Sequence, residues 1–224
     1  MRLGVLFSGG KDSTYAMFKA MKEHKVVCLM TVVSENPESY MFHTPNIHLT
    51  ELQAEAIGLP LITAKTKGEK EKELVDLKNL MKKAKELFHI EGVVTGAIAS
   101  VYQTSRIQKI CSKLKLECVN PLWGMNQIKL LNELIENKFE VIIVGVFAYQ
   151  MDDKWLGRKL DYKTIDELNI LQEKYKINPA GEGGEIETLV VNAPFFKKRI
   201  NIVKSSILFK DNSGILKIEK AILE

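Results

Sequence analysis

The chain has 224 residues, 46% of them hydrophobic, and a formal charge of +4 from 32 Lys and Arg against 28 Asp and Glu. That is enough to build a real core in one large domain, or in a medium domain plus a small one. No apolar run approaches the ~20 residues that span a bilayer, and the N-terminus enters a strand without a leader pattern, so a soluble, cytoplasmic protein with no membrane partner is expected. The mild basic excess suits ATP, RNA or an acidic protein surface and selects none of them.

In chain order, Leu3–Phe7 reads as a strand, Asp12–His24 as a helix and Val26–Val33 as a continuous apolar run that fits a fully buried parallel strand. Ser34–Pro45 is a loop, after which Asn46 or Thr44 is expected to cap a helix through Ile57. Leu59–Ala64 is a short strand, Glu69–Phe88 a long amphipathic helix, and Gly92–Thr95 another buried strand. The Lys/Glu alternation from Lys65 to Lys85 reads as a solvated helix face. A helix over about Ser100–Leu114 and a strand near Glu117–Val119 complete an alternating pattern, which predicts an open α/β sheet with right-handed crossovers.

Pro121 marks the expected joint, dividing a 1–120 nucleotide-binding domain from a smaller α+β domain over 121–224. In the latter, Gln127–Asn137 and Thr164–Tyr175 read as helices. Glu140–Phe147, Ile186–Val191, Ile200–Phe209 and Ile215–Leu223 read as strands, with Asp211–Gly214 as a hairpin turn.

The chemistry begins at Ser8-Gly9-Gly10-Lys11-Asp12-Ser13, placed between the first strand and the first helix. Glycines allow close backbone approach to a ligand, and N–H groups at a helix start favour an anion, so a phosphate or pyrophosphate is the expected guest. Lys11 can neutralise its charge, and Asp12 can hold Mg²⁺ or orient the loop. A Walker A loop is excluded, because aligning Gly10-Lys11 puts Val5 at the first glycine and Asp12 at the Ser/Thr position. The dinucleotide fingerprint G-x-G-x-x-G is absent too.

Ligands in open α/β sheets sit beyond the carboxyl ends of the strands. The Ser8–Ser13 loop, the Ser34–His43 loop and the Gly96–Arg106 segment all fall there. Gly96 is read as bringing a second backbone close to the nucleotide. Arg106 reaches either a phosphate or a surface carboxylate. Met41-Phe42-His43 lines an adenine pocket or packs in the core. A second unusual stretch is Gly181-Glu182-Gly183-Gly184-Glu185-Ile186-Glu187-Thr188. It reads either as a charged edge turn or as a rigid acidic loop for a cation, metal or amine, with Glu185 and Glu187 on one strand face. Cys28, Cys111 and Cys118 lack C-x-x-C spacing and read as buried, reduced thiols.

The S-G-G-x-D-S loop resembles the pyrophosphate loop of the N-type ATP pyrophosphatases. Its pairing with G-E-G-G-E-x-E-T-L-V resembles the diphthine–ammonia ligase (diphthamide synthase) family of that PP-loop group. Further matches are Thr95–Ser100, Tyr102-Gln103, Arg106, Pro121–Gly124 and Asp153–Arg158. The resemblance implies a Rossmann-like, adenine nucleotide alpha hydrolase-like domain and an ATP-dependent ligase that amidates diphthine on translation elongation factor 2 through an acyl-adenylate. Its expected cofactors are ATP and Mg²⁺, with Asp12 on the metal.

By the same resemblance Lys11 and Asp12 are catalytic, and Ser8, Gly9, Gly10, Lys11, Asp12, Ser13 and Gly96 bind the nucleotide. Tyr102, Gln103, Arg106, Trp123, Glu182, Gly183, Gly184, Glu185, Glu187 and Thr188 bind the substrate. Tyr102, Trp123, Trp155 and the Glu182–Glu187 loop are candidates for diphthine's trimethylammonium group. Ammonium is the nitrogen source, no nucleic acid is required, and the reading leaves room for a homo-oligomer. Two positions depart from the family pattern: Val101 stands where an Asp usually precedes Tyr-Gln, and Ile186 where an aromatic usually follows G-E-G-G-E. The alternatives are a tRNA-modifying enzyme with the same loop and a non-catalytic nucleotide sensor.

Overall fold

A computed structural model of the chain describes residues 1–36, 45–69 and 71–224. Pro37, Met41, Phe42, His43 and Thr44 lie outside the described residues, so the adenine-pocket reading of Met41–His43 and the Thr44 cap do too.

Five strands, β1 (Arg2–Leu6), β2 (Lys25–Ser34), β3 (Leu61–Thr66), β4 (Gly92–Val94) and β5 (Glu117–Val119), form a sheet in the order β3-β2-β1-β4-β5. Every neighbouring pair in it is parallel. The helices α1 (Lys11–Ala20), α2 (Thr50–Ile57), α3 (Glu73–Phe88) and α4 (Val101–Leu114) make the connections. The chain winds one way through β1, β2 and β3, then returns to the other side of β1 at β4. That reversal opens a crevice at the carboxyl ends of β1 and β4, where ligands sit in such sheets.

Both faces of the sheet are covered, which is why its strands read as apolar runs rather than as alternation. On one face Cys28, Met30 and Val93 pack with Leu77, Leu80 and Met81 of α3 and Ile107 and Ile110 of α4. On the other, Leu3, Val5 and Leu29 join Tyr15, Ala16 and Met17 of α1 in a core that continues into the second half of the chain. Burial of Cys28 pushes its thiol up to about 12, so this cysteine is an inert core residue, as expected.

That second half contains α5 (Gln127–Glu136), β6 (Glu140–Val146), α6 (Tyr162–Tyr175), β7 (Ile186–Asn192), β8 (Ile200–Lys210) and β9 (Ser213–Leu223). Its strands form an antiparallel sheet in the order β7-β6-β9-β8. Asp161 caps α6, accepting from the Thr164 N–H at 2.8 Å, and Asn126 caps α5, accepting from Lys129 at 3.0 Å. The β8–β9 hairpin closes on Asp211 and Asn212, both at positive φ (50° and 61°), the conformation a tight two-residue turn needs.

Asn46 does not cap a helix as expected. It sits at φ 64°, ahead of a 3₁₀ turn over Ile47–Leu49. Its side-chain amide pairs instead with β9, donating to Leu216 O and accepting from Ile218 N, each at 2.8 Å. A cap is a local partnership. Here a distant strand offers the amide two backbone partners at once, and the tertiary contact wins.

The two sheets meet at the first glycine turn. Val190 N of β7 donates to Gly9 O at 3.0 Å, and Gln53 Nε2 of α2 donates to Gly9 O at 2.9 Å and to Val190 O at 2.8 Å. Gln53 is fully buried. Replacing it with leucine removes two bonds to buried carbonyls, each worth about 0.5–1.5 kcal/mol net, while Gly9 O keeps the bond from Val190 N. The Gln53→Leu variant is therefore expected to lose about 2 kcal/mol of stability. Urea unfolding should show this as a lower midpoint at unchanged slope.

Candidate functional site

The site is built from the β1–α1 turn, the β4–α4 connection and the loop before β7. Gly9 has φ +78°, and a Cβ there would overlap Gln53 Oε1. A Cβ on Gly10 would come within 3.2 Å of Thr188 O. The glycine pair is thus required by the close approach of α2 and β7, beyond any approach to a ligand. The Ser8 and Ser13 hydroxyls lie 3.1 Å apart, and Ser13 Oγ also accepts from Ser8 N at 3.2 Å. Thr188 Oγ1 accepts from Lys11 N at 3.1 Å, satisfying one N–H of the α1 first turn.

Lys11 is 2% exposed. Its Nζ donates to both Asp12 carboxylate oxygens, at 3.0 and 2.8 Å, and to Ala180 O. The ammonium therefore ties the turn to the loop before β7. Gly96 lies against the same helix start: a Cβ there would come 2.7 Å from Ser13 N and 2.8 Å from the Asp12 carbonyl carbon. Its lack of a side chain serves helix packing first, and its place at the crevice follows from that packing.

The acidic loop is internally satisfied except at one carboxylate. Glu182 Oε1 accepts from Ala99 N at 3.0 Å and from Ser100 N at 2.9 Å, tying the loop to the α4 N-terminus. Burial raises its carboxyl above the ordinary range, opposed by those two N–H groups and reinforced by the Asp12 charge. Glu185 accepts from Asn178 N at 2.9 Å, Asn178 Nδ2 at 2.7 Å and Gly183 N at 2.9 Å. Glu187 makes no hydrogen bond or ion pair with any described residue. Burial pushes its carboxyl up to about 7, with Lys11 opposing and Asp12 adding to the rise. Gly183 and Gly184 form the exposed tip.

Across the crevice, Ser100 caps α4 by accepting from Gln103 N at 3.3 Å, which sets Tyr102 and Gln103 in the first turn beside Glu182. Arg106 is held by Glu71, through Nε at 2.9 Å and Nη2 at 2.6 Å, and its guanidinium carbon lies 3.4 Å from the Tyr102 ring centroid. Of its two expected roles, pairing with a surface carboxylate is the arrangement present. Trp123 is 46% exposed and borders an open cavity of about 460 Å³ with Val101, Thr104, Ser105, Gln108 and Asn120.

Trp155 packs in the core. It is 8% exposed, with the Arg158 guanidinium 4.4 Å over its ring, so it is withdrawn from the candidates for binding a trimethylammonium group. Ile186 is 4% exposed and packs in the core, so that departure from the family pattern is a core substitution and not a substrate wall. Val101 opens α4 and is 68% exposed.

Four residues that sequence reasoning passed over complete the site. Gln53 clamps Gly9. Gln127 holds Ala180 N at 2.9 Å and Asn178 Oδ1 at 3.1 Å, Asn178 braces Glu185, and Ala180 receives Lys11. Among the described residues no group of three or more His, Cys, Asp and Glu assembles a metal cage. A lone Asp12 still fits Mg²⁺, which usually takes one or two carboxylates and completes its shell with phosphates and water. No helix among the described residues is long and apolar enough to cross a membrane.

Comparison with known proteins identifies the architecture. The family model for the diphthamide synthase N-terminal domain matches residues 1–118, and that for the diphthamide synthase C-terminal domain matches residues 126–223. The chain is 39% identical to diphthine–ammonia ligase of Rattus norvegicus, over 89% of this chain and 82% of that protein. It is 36% identical to diphthine–ammonia ligase of Homo sapiens, over 93% and 85% respectively. Among solved structures it is similar to a predicted subunit of tRNA methyltransferase from Methanocaldococcus jannaschii, 20% identical, with a TM-score of 0.45, over 87% of this chain and 98% of that one. With a family model matched on each side of residue 120 and relatives of this identity covering most of its length, the chain belongs to the diphthamide synthase family.

Proposed function

We propose that the protein is an ATP-dependent C–N ligase that converts diphthine on elongation factor 2 to diphthamide. The single observation that carries the reading is the Lys11 bridge. It binds Asp12 of the phosphate loop and Ala180 of the acidic loop together, so that two motifs from opposite ends of the chain share one crevice. The division of labour follows residues 1–120 and 121–224, the first half holding the nucleotide and the second closing over the substrate.

The α1 first turn beyond Lys11 N, which Thr188 already holds, and the Ser8 and Ser13 hydroxyls hold the β and γ phosphates. Lys11 and Asp12 balance the charge there, and Asp12 is the residue that would hold Mg²⁺, whose chemistry is neutralisation of the departing pyrophosphate. The diphthine carboxylate attacks the α-phosphorus, pyrophosphate leaves, and ammonia then displaces AMP from the acyl carbon. A carboxylate is a poor electrophile, and adenylation supplies the leaving group. Gly96 lines the crevice floor, while Tyr102, Gln103 and Trp123 flank the acyl end with the Gly181–Thr188 loop. The nitrogen comes from ammonium, no RNA takes part, and a homo-oligomer is compatible with the site.

The test is the nucleotide product. The protein is incubated with ATP, Mg²⁺, ammonium and diphthine-bearing elongation factor 2, with each omitted in turn. AMP and pyrophosphate that depend on the factor, with amide formed when ammonium is present, are expected. Turnover that requires tRNA, or ADP as the product, would overturn the reading. A Trp123→Ala variant should raise KM for the modified factor about tenfold with kcat little changed, the size of a partly desolvated cation–π contact. Steady-state kinetics with the factor as varied substrate checks this.

A further inference from the structure

The reaction proposed above needs a proton acceptor that its established parts do not supply. Ammonium is protonated at neutral pH and has no lone pair with which to attack. Among the three glutamates of the acidic loop, Glu182 and Glu185 are committed to backbone and Asn178 donors, and Glu187 alone is unpartnered among the described residues.

Its neighbours on β6 and α1 are defined. On β7 it precedes Thr188, whose hydroxyl receives the first N–H of α1. On β6 it stands opposite Gly145, whose missing Cβ would lie 2.9 Å from Glu187 Cβ and 2.8 Å from the Phe147 ring. Strand β6 thus presents glycine and an aromatic edge, and no charge. From α1 the charges of Lys11 and Asp12 reach it and act in opposite directions, Lys11 the more strongly. An unpaired carboxylate between an apolar wall and the Lys11–Asp12 ion pair is a place for a small cation that brings its own donors.

We infer that Glu187 binds the ammonium ion beside the acyl-adenylate and takes its proton, acting as the general base of amide formation. This rests on the ligase reading. One N–H bond of ammonium breaks, and the proton goes to a Glu187 carboxylate oxygen. The freed lone pair forms the C–N bond at the acyl carbon. The bond from that carbon to the AMP phosphate oxygen then breaks, and its electron pair leaves with AMP. The second surplus proton on nitrogen passes to solvent. Burial supports the assignment, because a carboxyl raised to about 7 is matched to proton transfer near neutral pH.

The test separates the two half-reactions in Glu187→Gln. Adenylation is read by factor-dependent ATP–pyrophosphate exchange without ammonium. Aminolysis is read by amide formation from ammonium and, separately, by hydroxamate formation from hydroxylamine, which is already a free base at neutral pH. E187Q is expected to lose roughly 10²–10⁴-fold in kcat/KM for ammonium, as for removal of a general base. Exchange and hydroxamate formation should fall together and by a far smaller factor than the ammonium reaction, since neither needs that base. What remains of its ammonium reaction should track free ammonia, rising about tenfold per pH unit, and Glu187→Asp should recover part of the loss.

Equal loss of exchange, hydroxamate and amide in E187Q would overturn the role, because it would make Glu187 a substrate-binding or structural residue. An unchanged ammonium reaction would overturn it as well. Absence of factor-dependent exchange in the unmodified protein would remove the ligase reading itself, and is seen before any variant is made.

Discussion

Gly96→Ala should lower the melting temperature by roughly 6–12 °C and weaken ATP binding. The added Cβ would come 2.7 Å from Ser13 N, 2.8 Å from the Asp12 carbonyl carbon and 3.1 Å from Asp12 O. All three are backbone atoms at the start of α1, so no side chain can rotate away. The helix must shift, or the β4–α4 connection must. Overpacking of this kind costs about 3 kcal/mol, and a chain of this size loses about 2–4 °C per kcal/mol. A shift of α1 also moves the N–H groups that the proposed function assigns to the phosphates, so on that reading KM for ATP should rise about tenfold, the ordinary penalty for a misplacement near an ångström being larger still. Thermal unfolding and pyrophosphate exchange check both. A variant that melts within about 2 °C of the parent would show that the crevice floor is softer than the packing implies.

Lys11→Met should reduce factor-dependent pyrophosphate exchange about 10²–10³-fold, the usual cost of removing one preorganised electrostatic stabiliser of a transition state. Methionine fits the buried stem but leaves the Ala180 carbonyl without its donor and Asp12 without its counter-charge. Asp12 is one-third exposed, so water screens part of that loss, and about 1–3 kcal/mol of stability should go with it. Two measurements separate the effects. Exchange reports the chemistry, and urea unfolding reports the fold. Loss of exchange without change in the factor's affinity places Lys11 at the nucleotide end of the crevice.

The strand, glycine turn and helix start at Ser8–Ser13 were legible because their determinants are contiguous. A strand, a glycine turn and a helix start must follow one another within a dozen residues. The alternation of strands and helices up to Val119 and the change to an α+β rhythm after Pro121 were legible for the same local reason, whereas the strand orders are set by long-range pairing. What escaped was settled across the chain. Asn46 looks like a helix cap until β9 offers it two backbone partners. Trp155 looks like a ligand wall until Arg158 covers its face and the core takes its body. Composition marked Glu182, Glu185 and Glu187 as one acidic group, yet their fates differ because only folding brings Ala99, Ser100 and Asn178 to the first two. Gln53 and Gln127 carry no sequence signal at all, since a single amide becomes informative only when its two carbonyl or amide partners are known.

The floor under the phosphate loop is supplied by β7, where Thr188 receives the Lys11 amide from 177 positions further along the chain. Strand β7 is also the outermost strand of its sheet, so the turn at Gly9 doubles as the cover for an otherwise open strand edge. The shape of the Gly9–Lys11 turn therefore depends on the last third of the polypeptide. A nascent or truncated chain ending near residue 120 carries all six loop residues in the correct order but lacks the strand that shapes them. The turn and the strand that braces it are thus brought together only in a chain that extends past β7.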